Sequence, residues 1–252
     1  MLHQFSRTEL AIGAEGLDIL KKSTVAVLGV GGVGAMAVEG LARTGIGRII
    51  MIDKDVVDIT NINRQIHALT TTIGQKKADL MRERIKLINP ECEAIALNMF
   101  YTEETYEELF KYDIDYVLDA SDTITYKIHL IKQCLQRGIP ILSSMGAANK
   151  MDPTKFQVAD ISKTHMDPMA RVIRTKLRED GIKKGVKVVF STEPPVRPRK
   201  DVTEKIAPAG AKIRKAKQPP ASNSFVPPVV GLIMVSVAVR ELLERGGVSV
   251  SV

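Results

Sequence analysis

Apolar residues follow two rhythms along this chain. In the first three-fifths, short runs rich in β-branched and aliphatic residues read as strands: Thr24–Leu28, Arg48–Ile52, Ala94–Met99, Tyr116–Leu118 and Ile139–Leu142. Between them, Val33–Arg43, Lys76–Ile88, Glu103–Phe110 and Thr125–Gln136 carry apolar side chains three and four residues apart, the spacing that gathers them on one helical face. Gly138-Ile139-Pro140 marks a helix-to-strand junction. Strand and helix in regular alternation predict a mainly parallel sheet flanked by helices. Beyond about Asp160 the alternation stops. A helix (Pro168–Glu179) and a strand (Val186–Phe190) precede Glu193–Asn223, which holds Pro194, Pro195, Pro198, Pro208, Pro219 and Pro220 and reads as a loop. The apolar run Phe225–Val239 is 15 residues long and contains Pro227 and Pro228, so it predicts a packed terminal helix in place of a membrane span. Residues 1–160 are expected to form a core, and residues 161–252 an extension that completes the same domain.

At 252 residues and 44% hydrophobic content the chain can bury a substantial core, which excludes a disordered protein. The stretch from Met1 to Thr24 scatters His3, Arg7, Glu9, Glu15, Asp18, Lys21 and Lys22 among apolar residues, unlike a signal peptide, and cytoplasmic residence is expected. Two cysteines, Cys92 and Cys134, are too few and too far apart for a disulfide framework or a Cys-x-x-Cys zinc site; no zinc is expected. The net charge of +7 is concentrated: Arg171–Lys217 holds 15 Lys/Arg against 5 Asp/Glu, and the remainder is slightly acidic. Such a segment suits a phosphate-rich partner, and it equally suits a solvated basic loop.

The first strand runs into Gly29-Val30-Gly31-Gly32-Val33-Gly34 and then directly into a helix. Glycines let the backbone turn sharply and approach a phosphate, whose charge the free N–H groups and dipole of a helix start favour. Gly29, Gly31 and Gly34 match the dinucleotide fingerprint of a Rossmann-like fold, and Asp53, ending the second strand, is placed for ribose hydroxyls. Up to this point NAD and ATP are both admissible. The following residues separate them. Arg64 can grip phosphate oxygens through paired hydrogen bonds, and Lys77 can place an ammonium on a leaving pyrophosphate. Asp122, just past another strand, is a reasonable ligand for Mg²⁺ on the phosphates. A nicotinamide-dependent dehydrogenase leaves that set unexplained.

Together Gly29–Gly34, Asp53-x-Asp55, Asn61-x-x-Arg64-Gln65, Lys77 and Asp122 resemble the ThiF-type, ubiquitin-activating-enzyme-like adenylating superfamily, over roughly Leu2–Gly146. The resemblance implies a Rossmann-like α/β fold and activation of a carboxylate as its acyl-adenylate by ATP with Mg²⁺. It implies Asp53 on ribose, Arg64 and Lys77 on phosphates and Asp122 on Mg²⁺, and a homodimer in which Arg7 crosses to the partner's ATP site. Within the superfamily the second half is similar to the tRNA threonylcarbamoyladenosine dehydratases. Ser143–Ala148, Asp152-Pro153-Thr154, Asp160–Thr164, Asp167-Pro168 and Phe190–Glu193 carry that likeness. It implies that ATP adenylates the threonyl carboxylate of a modified adenosine in tRNA, and that the tethered carbamoyl group then closes a ring and expels AMP. The alternative is an adenylyltransferase for the C-terminal carboxylate of a small ubiquitin-like sulfur-carrier protein. That branch commonly has zinc cysteines and a late catalytic cysteine, and this chain has neither. Some relatives of the dehydratase type are described with a cysteine in the C-terminal segment, where this chain has Ser222 and Ser224, so no covalent thiol step is expected.

For a tRNA substrate, Arg197, Arg199, Lys200, Lys212, Arg214, Lys215 and Lys217 are the expected backbone contacts, with Phe225 the one aromatic nearby. Cys134 and Cys92 read as structural thiols, and His3, His67, His129 and His165 have no metal-ligand spacing. His67 is near enough in sequence to Arg64 to approach the nucleotide. Lys127 could face the phosphates or solvate its helix, and Asp55 and Asn61 could touch the nucleotide or shape the loop carrying Arg64.

Overall fold

A computed structural model describes residues 2–199, 202 and 220–249. Its centre is a seven-stranded sheet of order β3-β2-β1-β4-β5-β7-β6. The strands are β1 (Thr24–Leu28), β2 (Arg48–Ile52), β3 (Glu93–Leu97), β4 (Tyr116–Asp119), β5 (Ile141–Ser144), β6 (Phe156–Asp160) and β7 (Lys187–Ser191). All pair in parallel except the edge strand β6, which runs antiparallel to β7. The helices are α1 (Ser6–Lys22), α2 (Gly34–Thr44), α3 (Lys77–Ile88), α4 (Ile124–Arg137), α5 (Pro168–Glu179) and α6 (Val226–Arg245). Two apolar cores lie on opposite faces of the sheet, one including residues of α2, α3 and α6 and the other residues of α4 and α5. β1, β4 and β5 are buried along their whole length, which is why their apolar residues run consecutively (Val25–Leu28, Tyr116–Leu118 and Ile141-Leu142) and do not alternate with exposed polar ones. The expected parallel α/β architecture is therefore observed.

Three expected elements shift. β5 starts at Ile141, not Ile139, because Gly138 sits in the left-handed region (φ 67°) and the Ile139 N–H still donates to the Cys134 carbonyl, closing the helix behind it. β3 spans Glu93–Leu97, and Met99 turns away into a loop. Glu103–Phe110, read as a helix, contains one 3-10 turn, Tyr106–Glu108. Its aromatics are held by side-chain packing, the Arg137 guanidinium lying 4.3 Å from the Phe110 ring centroid. β6 was not foreseen: the half-exposed sequence Phe-Gln-Val-Ala-Asp has too little periodicity to announce an edge strand.

The C-terminal apolar run forms α6, longer than its sequence run predicts. It is long and apolar enough to cross a membrane, yet most of it is covered by the rest of the protein. It packs on α2 at very close range: a Cβ added to Gly231 would lie 2.3 Å from the Val33 carbonyl oxygen, and one added to Gly40 3.0 Å from Val235. This contact clamps the helix that opens directly behind the glycine loop.

Candidate active site

At the carboxyl ends of β1, β2, β4 and β5 a cleft of about 730 Å³ opens, where open parallel sheets place their ligands. The glycine loop forms its floor. Gly29 adopts φ 86°, and a Cβ there would meet the Ala120 carbonyl oxygen at 2.9 Å, so only glycine lets β1 turn against the loop after β4. At Gly34 a Cβ would fall 1.7 Å from the Gly29 carbonyl oxygen, which fixes the start of α2 against the loop. Gly31 is open, a Cβ there meeting nothing nearer than Gln65 Nε2 at 3.9 Å, whereas a Cβ at Gly32 would press on Pro227 at 3.0 Å and on the stem of Arg64 at 3.2 Å. The chain thus presents a bare backbone and a helix start to the cleft, a cradle for phosphate.

Asp53 directly follows β2 and braces this floor. Its Oδ2 accepts from the Val30 N–H at 2.7 Å and its Oδ1 from the Asp55 N–H at 2.8 Å. Burial pushes its carboxyl above the ordinary aspartate value, opposed by those N–H groups and by Lys77. Lys77, at the start of α3 and 6% exposed, places its ammonium 3.2 Å from Asp55. Arg64 is half-buried and donates to the Thr60 carbonyl (2.9 Å) and Asn63 Oδ1 (2.8 Å); burial lowers its pKa, but a guanidinium stays charged. Asn61 accepts the Asp58 N–H at 3.1 Å, making the capping box of the turn that carries Arg64, and it also lines the cleft. Asp122 stands exposed at the mouth, just beyond β4.

Gly29, Gly31, Gly32, Asp53, Asp55, Asn61, Arg64, Lys77 and Asp122 thus line one cleft, with Gly34 directly behind the loop. Arg7, exposed on α1, does not line this cleft. Arg197 and Arg199 lie on the chain that leaves β7, whereas Lys200, Lys212, Arg214, Lys215 and Lys217 lie outside the described residues. His67 is buried and does not line the cleft; burial, with Lys77 and Arg84 nearby, pushes its imidazole down to about 4. Lys127 takes neither role expected of it: it is wholly buried and pairs with Asp119 at 2.9 Å beneath the loop carrying Asp122. Asp119 also accepts hydrogen bonds from Ser143 (2.6 Å) and Ser121 (2.7 Å). That acid belongs to the same Asp119-Ala120-Ser121-Asp122 stretch as Asp122, and only its burial distinguishes the two.

The far wall comes from the loop after β5 (Gly146–Lys150) and the start of α5 at Asp167. The Asn149 N–H donates to the Ala221 carbonyl, the Val196 N–H to the Asn149 carbonyl and the Asn223 amide to the Lys150 carbonyl, so this loop is tied to both ends of the Pro-rich loop 193–223. Lys54, 3.8 Å above the Phe100 ring, stands at the opposite side. Lys150 and Phe100 were not singled out in the sequence, and Asp167 entered there only as part of the Asp167-Pro168 likeness, because nothing in a sequence marks a buried charge.

The ThiF family model matches residues 5–251, nearly the whole chain. The chain belongs to the ThiF family. It is 68% identical to the tRNA threonylcarbamoyladenosine dehydratase of Bacillus subtilis, over 97% of this chain and 96% of that protein. Among solved structures it is similar to the Escherichia coli tRNA N6-threonylcarbamoyladenosine dehydratase in complex with ATP, with a TM-score of 0.86 and 36% identity over 97% of this chain and 95% of that one. The likeness to the molybdopterin-synthase adenylyltransferase of Escherichia coli is 31% identity over only 55% of this chain and 54% of that protein.

Proposed function

We propose that this enzyme uses ATP to dehydrate the threonylcarbamoyl group of a modified adenosine in tRNA, through an acyl-adenylate, releasing pyrophosphate and then AMP. One observation carries the reading: the likeness to a dehydratase runs through 97% of the chain and so includes both walls of the cleft, the glycine loop and the far wall alike.

The residues divide the work. The glycine loop and the start of α2 receive the phosphates, and Asp53 takes ribose hydroxyls with the lone pairs that Val30 and Asp55 leave free. Arg64 and Lys77 stabilise the charge that develops on pyrophosphate as the threonyl carboxylate attacks the α-phosphate. Asp55 holds the Lys77 ammonium in reach, and Asn61 fixes the turn beneath Arg64. Among the described residues no three His, Cys, Asp or Glu side chains gather into a metal cage. A single exposed carboxylate, Asp122, suits Mg²⁺, which keeps most of its waters and arrives on the nucleotide. When bound, that ion neutralises phosphate charge. Ring closure needs no enzyme thiol, because the carbamoyl group is tethered to the activated carbonyl at high effective molarity. Both cysteines are buried, with thiols pushed up to about 11 (Cys92) and about 12 (Cys134), so neither supplies a thiolate.

Exposed Arg7 fits a homodimer in which it completes the partner's ATP site; mixing inactive Arg7→Ala and Arg64→Ala subunits should then restore activity that neither has alone. The basic segment, from Arg197 and Arg199 onward, fits the tRNA backbone. Neutralising several of its charges should weaken tRNA binding and flatten its salt dependence, with ATP binding unchanged. A cytoplasmic setting suits both substrates.

The deciding experiment supplies Mg-ATP and tRNA carrying threonylcarbamoyladenosine, then reads AMP and the loss of one water from the nucleoside by mass spectrometry. Both products are expected, and both should vanish in Arg64→Ala and Asp122→Ala. ATP binding with neither product would overturn the tRNA assignment and turn attention to sulfur-carrier proteins as substrates.

A further inference from the structure

Asp167 is the buried group that the chemistry so far leaves idle. It is 3% exposed and lines the cleft opposite the glycine loop. Its Oδ1 caps α5 by accepting the Ala170 N–H at 3.0 Å, while its Oδ2 has no hydrogen-bond partner among the described residues. A buried carboxylate oxygen left unpaired costs stability, so its persistence calls for a donor that arrives with a ligand. The side chain faces that ligand's space through a window: a Cβ placed on Gly146 would lie 3.6 Å from Oδ1 and 3.7 Å from Oδ2, and glycine leaves the path bare. Lys150, 3% exposed and lining the same wall, supplies positive charge, its ammonium donating to the Glu193 main-chain carbonyl. Burial lowers the Lys150 pKa, and the charges of Asp167 and Glu193 oppose that fall. One charge of each sign therefore lies at the end of the cleft remote from Arg64 and Lys77.

The proposed ring closure requires such an acceptor. Whether the carbamoyl oxygen or its adenosine-side nitrogen attacks, a five-membered ring forms by making one bond to the activated carbonyl carbon and breaking that carbon's bond to the AMP oxygen. AMP leaves with the electron pair, and one urea N–H proton must go. An unpaired carboxylate oxygen buried just behind Gly146, in a residue that lines the cleft, is suited to hold that N–H in the adenylate once the substrate reaches that wall, and to take its proton as the ring closes. We infer that Asp167 is the proton acceptor of the ring-closing half-reaction, and that Gly146 is glycine because any side chain there would stand between the carboxylate and the substrate. This rests on the tRNA-dehydratase reading above.

The test separates the two half-reactions. Wild type, Asp167→Asn and Gly146→Ala are compared by tRNA-dependent ATP–pyrophosphate exchange, which reports adenylation, and by single-turnover formation of dehydrated nucleoside, which reports ring closure. Asparagine caps a helix as well as aspartate does, and the alanine methyl group would make ordinary van der Waals contact with Asp167, so both variants keep the fold. In each, exchange should stay within about twofold of wild type while ring closure falls by at least about 10²-fold. AMP would then appear without dehydrated nucleoside, as water consumes the stranded adenylate. Ring closure at the wild-type rate in both variants would overturn the role of Asp167 while leaving the tRNA reaction intact. Parallel loss of exchange and ring closure in Gly146→Ala would make this wall a binding surface and refute proton transfer. A wild-type enzyme that binds ATP and yields no dehydrated nucleoside would overturn the reaction itself, and this role with it.

Discussion

Replacing Lys127 with methionine should cost about 3–5 kcal/mol, although the side chain touches neither solvent nor cleft. Its ammonium lies 2.9 Å from Asp119 Oδ2, and both side chains are wholly buried. Two unit charges at that separation attract by about 6 kcal/mol at an effective dielectric constant of about 20. Desolvating them costs several kcal/mol each, so the intact pair adds little net stability. Removing one partner exposes the other's full penalty. The loss should be asymmetric: without Lys127, Asp119 keeps the hydroxyls of Ser143 and Ser121, whereas without Asp119 the ammonium keeps only the Asp119 main-chain carbonyl at 3.4 Å. Asp119→Leu should therefore be the worse single variant, and the double variant should return to within about 2 kcal/mol of wild type. Urea unfolding of the four proteins at one protein concentration gives the coupling energy, and Lys127→Met alone should lower Tm by about 6–20 °C. Single losses that simply add, with coupling below about 0.5 kcal/mol, would refute the compensation argument.

The glycine loop and the buried histidine make two further predictions. Gly31→Ala should keep wild-type stability, its Cβ meeting nothing closer than 3.9 Å, yet weaken ATP binding at least about tenfold by titration calorimetry, a loss of about 1.4 kcal/mol. Gly34→Ala, with a Cβ 1.7 Å from the Gly29 carbonyl oxygen, should lose both stability and binding, and equal behaviour of the two variants would contradict the cradle geometry. For His67, whose imidazole is pushed down to about 4, the unfolded chain takes up a proton near pH 6.5 that the native protein refuses until about pH 4. Stability from this group is thus full above pH 6.5 and falls with pH, by about 2 kcal/mol between pH 7 and 5. Urea midpoints of His67→Leu should lack that part of the acid loss, and parallel curves for the two proteins would show the histidine titrating normally.

What was legible in the sequence was whatever a local pattern had to encode. The glycines are spaced by the turn they make, Asp53 directly follows β2, Asp122 lies just past β4 and Lys77 opens α3, so placing these elements also places most of the cleft; Arg64 alone hangs on the longer connection after β2. The charges beneath and beyond it have no such signature. Lys127 lies on an amphipathic helix where a lysine ordinarily faces water, and only the tertiary pairing with Asp119 reveals that it faces the core. His67 lies close to Arg64 in sequence, but the chain turns it into the interior and off the lining of the cleft. Asp167 before Pro168 looks like an ordinary helix cap and is one; its second oxygen acquires meaning only when the loop after β5 brings Gly146 against it. The division follows the chemistry. On the proposed function, phosphate recognition relies on backbone N–H groups and helix starts, which are local, whereas distinguishing one carboxylate substrate from another falls to a wall assembled from β5, α5 and the two ends of the loop 193–223.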